Sequence, residues 1–184
     1  MYLNCHSYHS LRFGTISVEQ LVEDASRCGI DALALTDINC STGVFDFVKA
    51  CRDFDIKPIV GIDFRSANDQ LYMCIAKNTA GLKEINDFLT HHNLQHLKIP
   101  EQPGEFENVF VIYPFDKAPA KLRENEYIGI HYTQLNRLFR FRNDKVLKRL
   151  VIHHPVTFRT HDEYNLHKLL VCVRNNIIIS KLQS

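Results

Sequence analysis

Four side chains among the first 63 residues of this chain have the types and placement to do chemistry together. Asn4 and His6 stand in the run Leu3-Asn4-Cys5-His6-Ser7, Asp37 follows Leu35-Thr36, and Asp63 follows Gly61-Ile62. Each lies at the end of a short apolar run, the pattern of a strand with a polar group at its tip. In a sheet or barrel of parallel strands such tips gather at one mouth. An imidazole, two carboxylates and an amide are therefore expected to meet although they are scattered in sequence. His6, Asp37 and Asp63, with Asn4 beside them, are a competent donor set for one ion such as Mn, Fe or Zn. The competing expectation is that these residues only hydrogen-bond one another in a closed cleft.

The elements that position them alternate between strand and helix. Residues 2–5 read as a strand, and Ser17 with Gln20 forms a capping box for a helix bearing Leu21, Val22, Ala25 and Cys28 on its apolar face. Gly29 ends that helix. A continuous apolar strand spans 32–36, a helix capped by Ser41 or Thr42 runs to about Phe54, and 57–64 is the third strand. Further strands are expected at 71–76, 109–113, 127–130 and 150–153, with helices at 79–89 and about 161–174. The stretch 91–107 is polar and contains proline, so it reads as irregular. The pattern predicts an α/β fold with a mostly parallel sheet, either an irregular barrel or a doubly wound open sheet.

Composition narrows the class. The chain has 184 residues, 45% of them hydrophobic, enough for one buried core, and residues 1–184 are read as a single domain. Twenty-two basic against 21 acidic residues leave a formal charge of +1, so no global field points to nucleic acid or membrane. The six cysteines form no C-x-x-C pair, and no apolar run approaches the ~20 residues that span a bilayer. A cytoplasmic protein with reduced thiols is expected.

Asn4-Cys5-His6, Leu35-Thr36-Asp37-Ile38-Asn39, Gly61-Ile62-Asp63 and the segment from Ile75 to Leu82 together resemble the PHP (polymerase and histidinol phosphatase) family. More closely, the chain is similar to the amino-terminal PHP domains of bacterial DNA polymerase III alpha subunits. His6-Ser7 through Ser10-Leu11 and Gly14-Thr15, Ala76 to Leu82, and the final helix with Leu169-Leu170 carry that likeness. The resemblance implies an irregular seven-stranded βα barrel with metal ligands at the strand ends, often three ions held by histidines and carboxylates. It also implies that the chain is the front of a longer replicative polymerase, whose own catalysis uses Mg.

Motif by motif the chain departs from the family's donor pattern, leaving His6, Asp37 and Asp63. The opening H-x-H is Asn4-Cys5-His6, the D-H pair is Asp37-Ile38, and the G-x-E carboxylate is Asp63. The next histidine falls on Leu71 or Tyr72, and the late D-x-H falls on Thr157-Phe158-Arg159. Losing several donors is costly for an ion cluster, so no metal is expected, and any ion would rest on His6, Asp37 and Asp63. Arg159 is expected to enter the cleft and bond both Asp37 and Asp63, a fixed cation in place of the lost ions; otherwise it is a surface arginine.

Other candidates are weaker. His153 and His154 stand at a strand end and can enter the cleft, whereas His91, His92 and His96 are expected at the surface. Arg137, Arg140, Arg142, Lys145, Lys148 and Arg149, interleaved with Phe139 and Phe141, fit either a phosphate backbone or a solvated face. Cys5 is expected in the core, and Asp53 and Asp55 at the surface.

The resulting expectation is a noncatalytic PHP domain of a polymerase III alpha chain. Its partners would be the catalytic module in cis, a proofreading exonuclease subunit, and DNA through the parent protein. One alternative is an active phosphoesterase with Zn or Mn in the cleft, trimming DNA 3′ ends or acting on small phosphate esters. The other is a free-standing binding protein that takes a small anion at the mouth.

Overall fold

Ser17 opens the first helix as its spacing predicts. Its side chain accepts from the Gln20 N–H at 3.2 Å while Gln20 Oε1 accepts from the Ser17 N–H at 3.3 Å. In this computed structural model, which describes residues 1–138 and 147–182, that helix is α1 (Val18–Arg27). Val18, Leu21, Val22 and Ala25 are its buried face, and Gly29 leaves it at φ 66°. Helix α2 (Val44–Asp53) departs from expectation at its start: Gly43 is the cap residue, without a side-chain bond. Thr42 turns its N–H toward Cys40 Sγ instead, at 3.3 Å. Helix α3 (Thr79–Leu94) runs beyond the expected end into His91 and His92, because His92 packs on Phe88 and bonds its carbonyl, 2.8 Å.

The strands are β1 (Asn4–Cys5), β2 (Ala32–Leu35), β3 (Lys57–Ser66), β4 (Asp69–Ala76), β5 (Val109–Pro114), β6 (Glu126–Ile130), β7 (Leu150–Ile152) and β8 (Pro155–Val156). A one-turn helix α4 (Leu135–Leu138) follows β6, and α5 (His161–Asn175) follows β8. Strands β2 to β7 form one sheet in sequence order, and β1 pairs with β8. Main-chain bonds from Ala34 to Tyr2 and from Thr36 to Cys5 join β1 to β2. Only His153 and His154 separate β7 from β8. Counted as one strand that changes partner at this pair, β7 and β8 complete a ring of seven, as expected for an irregular barrel.

Pairing is parallel throughout except at β4, which is antiparallel to both β3 and β5. That reversal matters for the site. It brings the start of β4, and with it Gln70, to the mouth where the other strands end.

Inside the ring, Ala34, Met73, Ile75 and Ile112 form an apolar plug with Leu3, Ile59, Tyr127 and Val151. Outside it, Cys5, Leu33, Leu35 and Phe47 belong to the layer under α1 and α2, while Ile62, Phe64, Tyr72 and Ile85 pack beneath α3. Gly61 is required on β3, since a Cβ there would lie 2.2 Å from the Cys74 carbonyl oxygen.

Candidate functional site

The carboxyl ends of β1 and β3, the start of β4 and the β7–β8 joint bring one polar cluster together. Asp63 is its centre and is fully buried. Its Oδ2 accepts from His6 Nε2 at 3.0 Å, Arg65 Nε at 2.9 Å and Arg65 Nη2 at 2.7 Å, and its Oδ1 accepts from Gln70 Nε2 at 2.8 Å. Alternation along β3 puts Asp63 and Arg65 on one face. Asn39, at φ 48°, clasps the Arg65 backbone with two 2.9 Å bonds. Burial alone would raise the Asp63 carboxyl, but the His6 hydrogen bond and the Arg65 guanidinium outweigh it and hold the group below the usual carboxylate range.

His153 enters from the joint. Asn4 Nδ2 donates to its Nε2 at 2.9 Å and Gln70 Nε2 approaches the same nitrogen at 3.5 Å. Two amide donors meeting one ring nitrogen favour the neutral ring protonated on Nδ1. Burial pushes this histidine down to about 4. His6 Nδ1 lies 3.2 Å from Thr157 Oγ1. Phe13 stands edge-on to His6 at 5.3 Å and receives Arg65 over its face at 4.6 Å, closing the cluster from the α5 side together with His167.

Asp37 is near the cluster but differently engaged. Its backbone pairs with that of Asp63, while its carboxylate accepts from the Ser7 N–H (2.7 Å), Ser7 Oγ (2.8 Å) and Ser10 Oγ (2.7 Å). Ser10 Oγ in turn accepts from the Ile38 N–H at 3.0 Å. Asp37 is thus the anchor of the loop between β1 and α1.

Arg159 is a correction. It does not enter the cleft: its guanidinium bonds Glu163 at 2.7 and 2.9 Å and lies 3.5 Å from Asp24, on the outer side of the barrel wall. The reason is local. Thr160 caps α5, and Glu163 in its first turn draws in both the Arg159 N–H and its side chain. The cation beside Asp63 is Arg65, and the signal for it was the two-residue spacing from Asp63 on one strand. The short gap between β3 and β4, too short for a parallel crossover, was the signal that β4 is reversed; Gln70 stayed hidden because the register shift opposite Arg65, which turns it to the Asp63 face, has no sequence signal. His154 turns away to His131, 3.0 Å. Among the described residues, no group of three or more His, Cys, Asp or Glu side chains stands in a metal-holding arrangement.

Compared with known proteins, residues 3–121 match the PHP domain. The chain belongs to the PHP family. The relatives of this PHP domain include DNA polymerase III subunit alpha of Neisseria meningitidis, 25% identical with 97% of this chain covered, and that of Staphylococcus aureus, 24% identical with 95% covered. The Bacillus subtilis subunit is 42% identical over 127 residues, 64% of this chain. The chain spans only 19%, 17% and 11% of those three proteins. Among solved structures, a metal-dependent phosphoesterase from Bifidobacterium adolescentis superposes with a TM-score of 0.41 at 12% identity, covering 96% of this chain and 84% of its own. An amidohydrolase from Chromobacterium violaceum gives 0.40 at 13%, with the same coverage. No helix among the described residues is long and apolar enough to cross a membrane.

Proposed function

We propose that this chain is the PHP domain of a cytoplasmic replicative polymerase III alpha chain, and that its cleft is held by side chains in place of ions. On this reading the domain is noncatalytic. It supports the polymerase module in cis, and template-directed DNA synthesis with Mg belongs to that module.

One observation supports this reading of the cleft: the lone pairs of Asp63, Asp37 and His153 Nε2 are already taken, and of the nearby ring nitrogens among the described residues His9 Nε2 is the one buried without a partner. Asp63 accepts from His6, Arg65 and Gln70, Asp37 from Ser7 and Ser10, and His153 Nε2 from Asn4. An ion beside Asp63 would also face the Arg65 guanidinium at Coulombic cost. The donor set therefore suits a guanidinium rather than an ion cluster.

Elemental analysis of the purified chain, with hydrolysis assays on single-stranded DNA and a generic phosphate ester, tests this. The expected result is substoichiometric metal and no hydrolysis. Stoichiometric Zn or Mn, with hydrolysis that disappears in Asp63→Asn, would establish an active phosphoesterase instead.

A further inference from the structure

We propose that the opposite mouth of the barrel, at the amino-terminal ends of the parallel strands, is a binding surface for single-stranded nucleic acid. From Lys57 to Asp63, β3 covers about 20 Å at ~3.3 Å per residue, so this surface is remote from the Asp63 cluster and independent of how that cluster is read.

Two clefts adjoin there. One, of about 520 Å³, is apolar and lined by Leu3, Ile59, Ile75, Leu82 and Ile112. The other, of about 570 Å³, is polar and lined by Glu107, Glu124, Asn125, Lys148 and Arg149. Lys77, Phe110 and Tyr127 line both. Phe110 and Tyr127 form the wall between them as an edge-to-face pair, centroids 5.7 Å apart, and Phe110 is 37% exposed although it lies on a strand.

Cations frame this wall. Lys77 Nζ stands 4.9 Å from the Phe110 centroid and Arg149 Cζ 5.5 Å from that of Tyr127, with Lys148 and Lys57 on the rims. Among the described residues none of the four makes an ion pair. Lys77 and Arg149 donate to the main-chain carbonyls of Glu107 and Glu124, respectively. The four cations outnumber the two carboxylates, Glu107 and Glu124, that share the lining.

An apolar slot with an aromatic wall, next to a polar slot with unpaired cations, matches a strand whose base leaves the backbone. The base stacks on the ring and the phosphates meet the cations. In a duplex the bases are stacked on each other and present no free face to Phe110. Lys148 and Arg149 also end the basic, aromatic-interleaved segment of the sequence, whose residues 139–146 lie outside the described residues.

Fluorescence anisotropy of the whole chain with a labelled oligothymidylate of about 12 nucleotides tests the proposal. Binding is expected at ~50 mM salt and is expected to weaken toward ~200 mM. Phe110→Ala should weaken it about tenfold, within the range for one lost base stack, while Tyr127→Phe retains it. Lys148→Glu, at an exposed position, should weaken binding and flatten the salt dependence without unfolding the chain. The proposal is overturned if the wild type does not bind at low salt, or if Phe110→Ala, folded by circular dichroism, binds unchanged. Equal binding of a duplex, or equal displacement by polyglutamate, would also overturn it by showing attraction to charge alone.

Discussion

Arg65 donates two hydrogen bonds, from Nε at 2.9 Å and Nη2 at 2.7 Å, to a single oxygen of Asp63. The carboxylate is fully buried and the arginine side chain is 11% exposed. Breaking such a pair by removing one partner leaves an uncompensated charge and typically costs about 3–5 kcal/mol.

Arg65→Ala should therefore lower stability by about 3 kcal/mol, toward the low end of that range because His6 and Gln70 still donate to Asp63. It should also open a place for an ion beside Asp63, His6 and His153. Thermal melts with added Zn or Mn are expected to show a rise for Arg65→Ala and none for the wild type. Equal response of both proteins would contradict the idea that the guanidinium occupies the ion's place.

Acid sensitivity follows from His153. Its folded pKa is depressed to about 4, so below the ordinary histidine value of ~6.5 the unfolded chain binds a proton that the folded chain refuses. Stability is then complete above ~6.5 and falls as pH drops toward 4, by at most about 3 kcal/mol from this group. His131 and His167, both lowered mainly by burial, act in the same direction. The depressed carboxyl of Asp63 adds stability that is present above the ordinary carboxylate range and is lost only as pH falls through its lower folded value, below the range where the histidines act. Urea unfolding at several pH values should show this slope, and His153→Gln should flatten it.

Much of this was legible in the sequence. The capping box at Ser17, the order of elements and the convergence of Asn4, His6 and Asp63 follow from residue types and two-residue or helical spacing. Other features depend on relations between distant segments. Gln70 reaches Asp63 because β4 is reversed and its register shifts opposite Arg65, and His153 reaches Asn4 only because the β7–β8 joint changes partner. A motif position does not fix the direction of the Arg159 side chain, which Glu163 one helical turn on decides.

Asp37 is expected to act on the loop it holds. In Asp37→Asn one oxygen becomes an amide donor facing hydroxyl and N–H donors, and in Ser10→Ala the Ile38 N–H loses its acceptor. Each unsatisfied buried group costs about 1–3 kcal/mol. Hydrogen exchange should report faster exchange in residues 6–14 for both variants, with the amides of β4 and β5 unchanged. Uniform acceleration across the sheet would show that Asp37 supports the barrel as a whole.

The two arginines offer a direct contrast. Arg159 pairs with Glu163 and Asp24 at the surface, with 30% of its side chain exposed, and such pairs contribute about 0–1 kcal/mol. Arg159→Ala should therefore shift the melting temperature by no more than a few degrees, whereas Arg65→Ala lowers it several-fold more. Their effects should add in the double variant, because the two guanidiniums share no partner. Chemical denaturation of the wild type, both single variants and the double variant measures the coupling. A large loss in Arg159→Ala, or strong non-additivity, would return Arg159 to the cleft and remove Arg65 from its role beside Asp63.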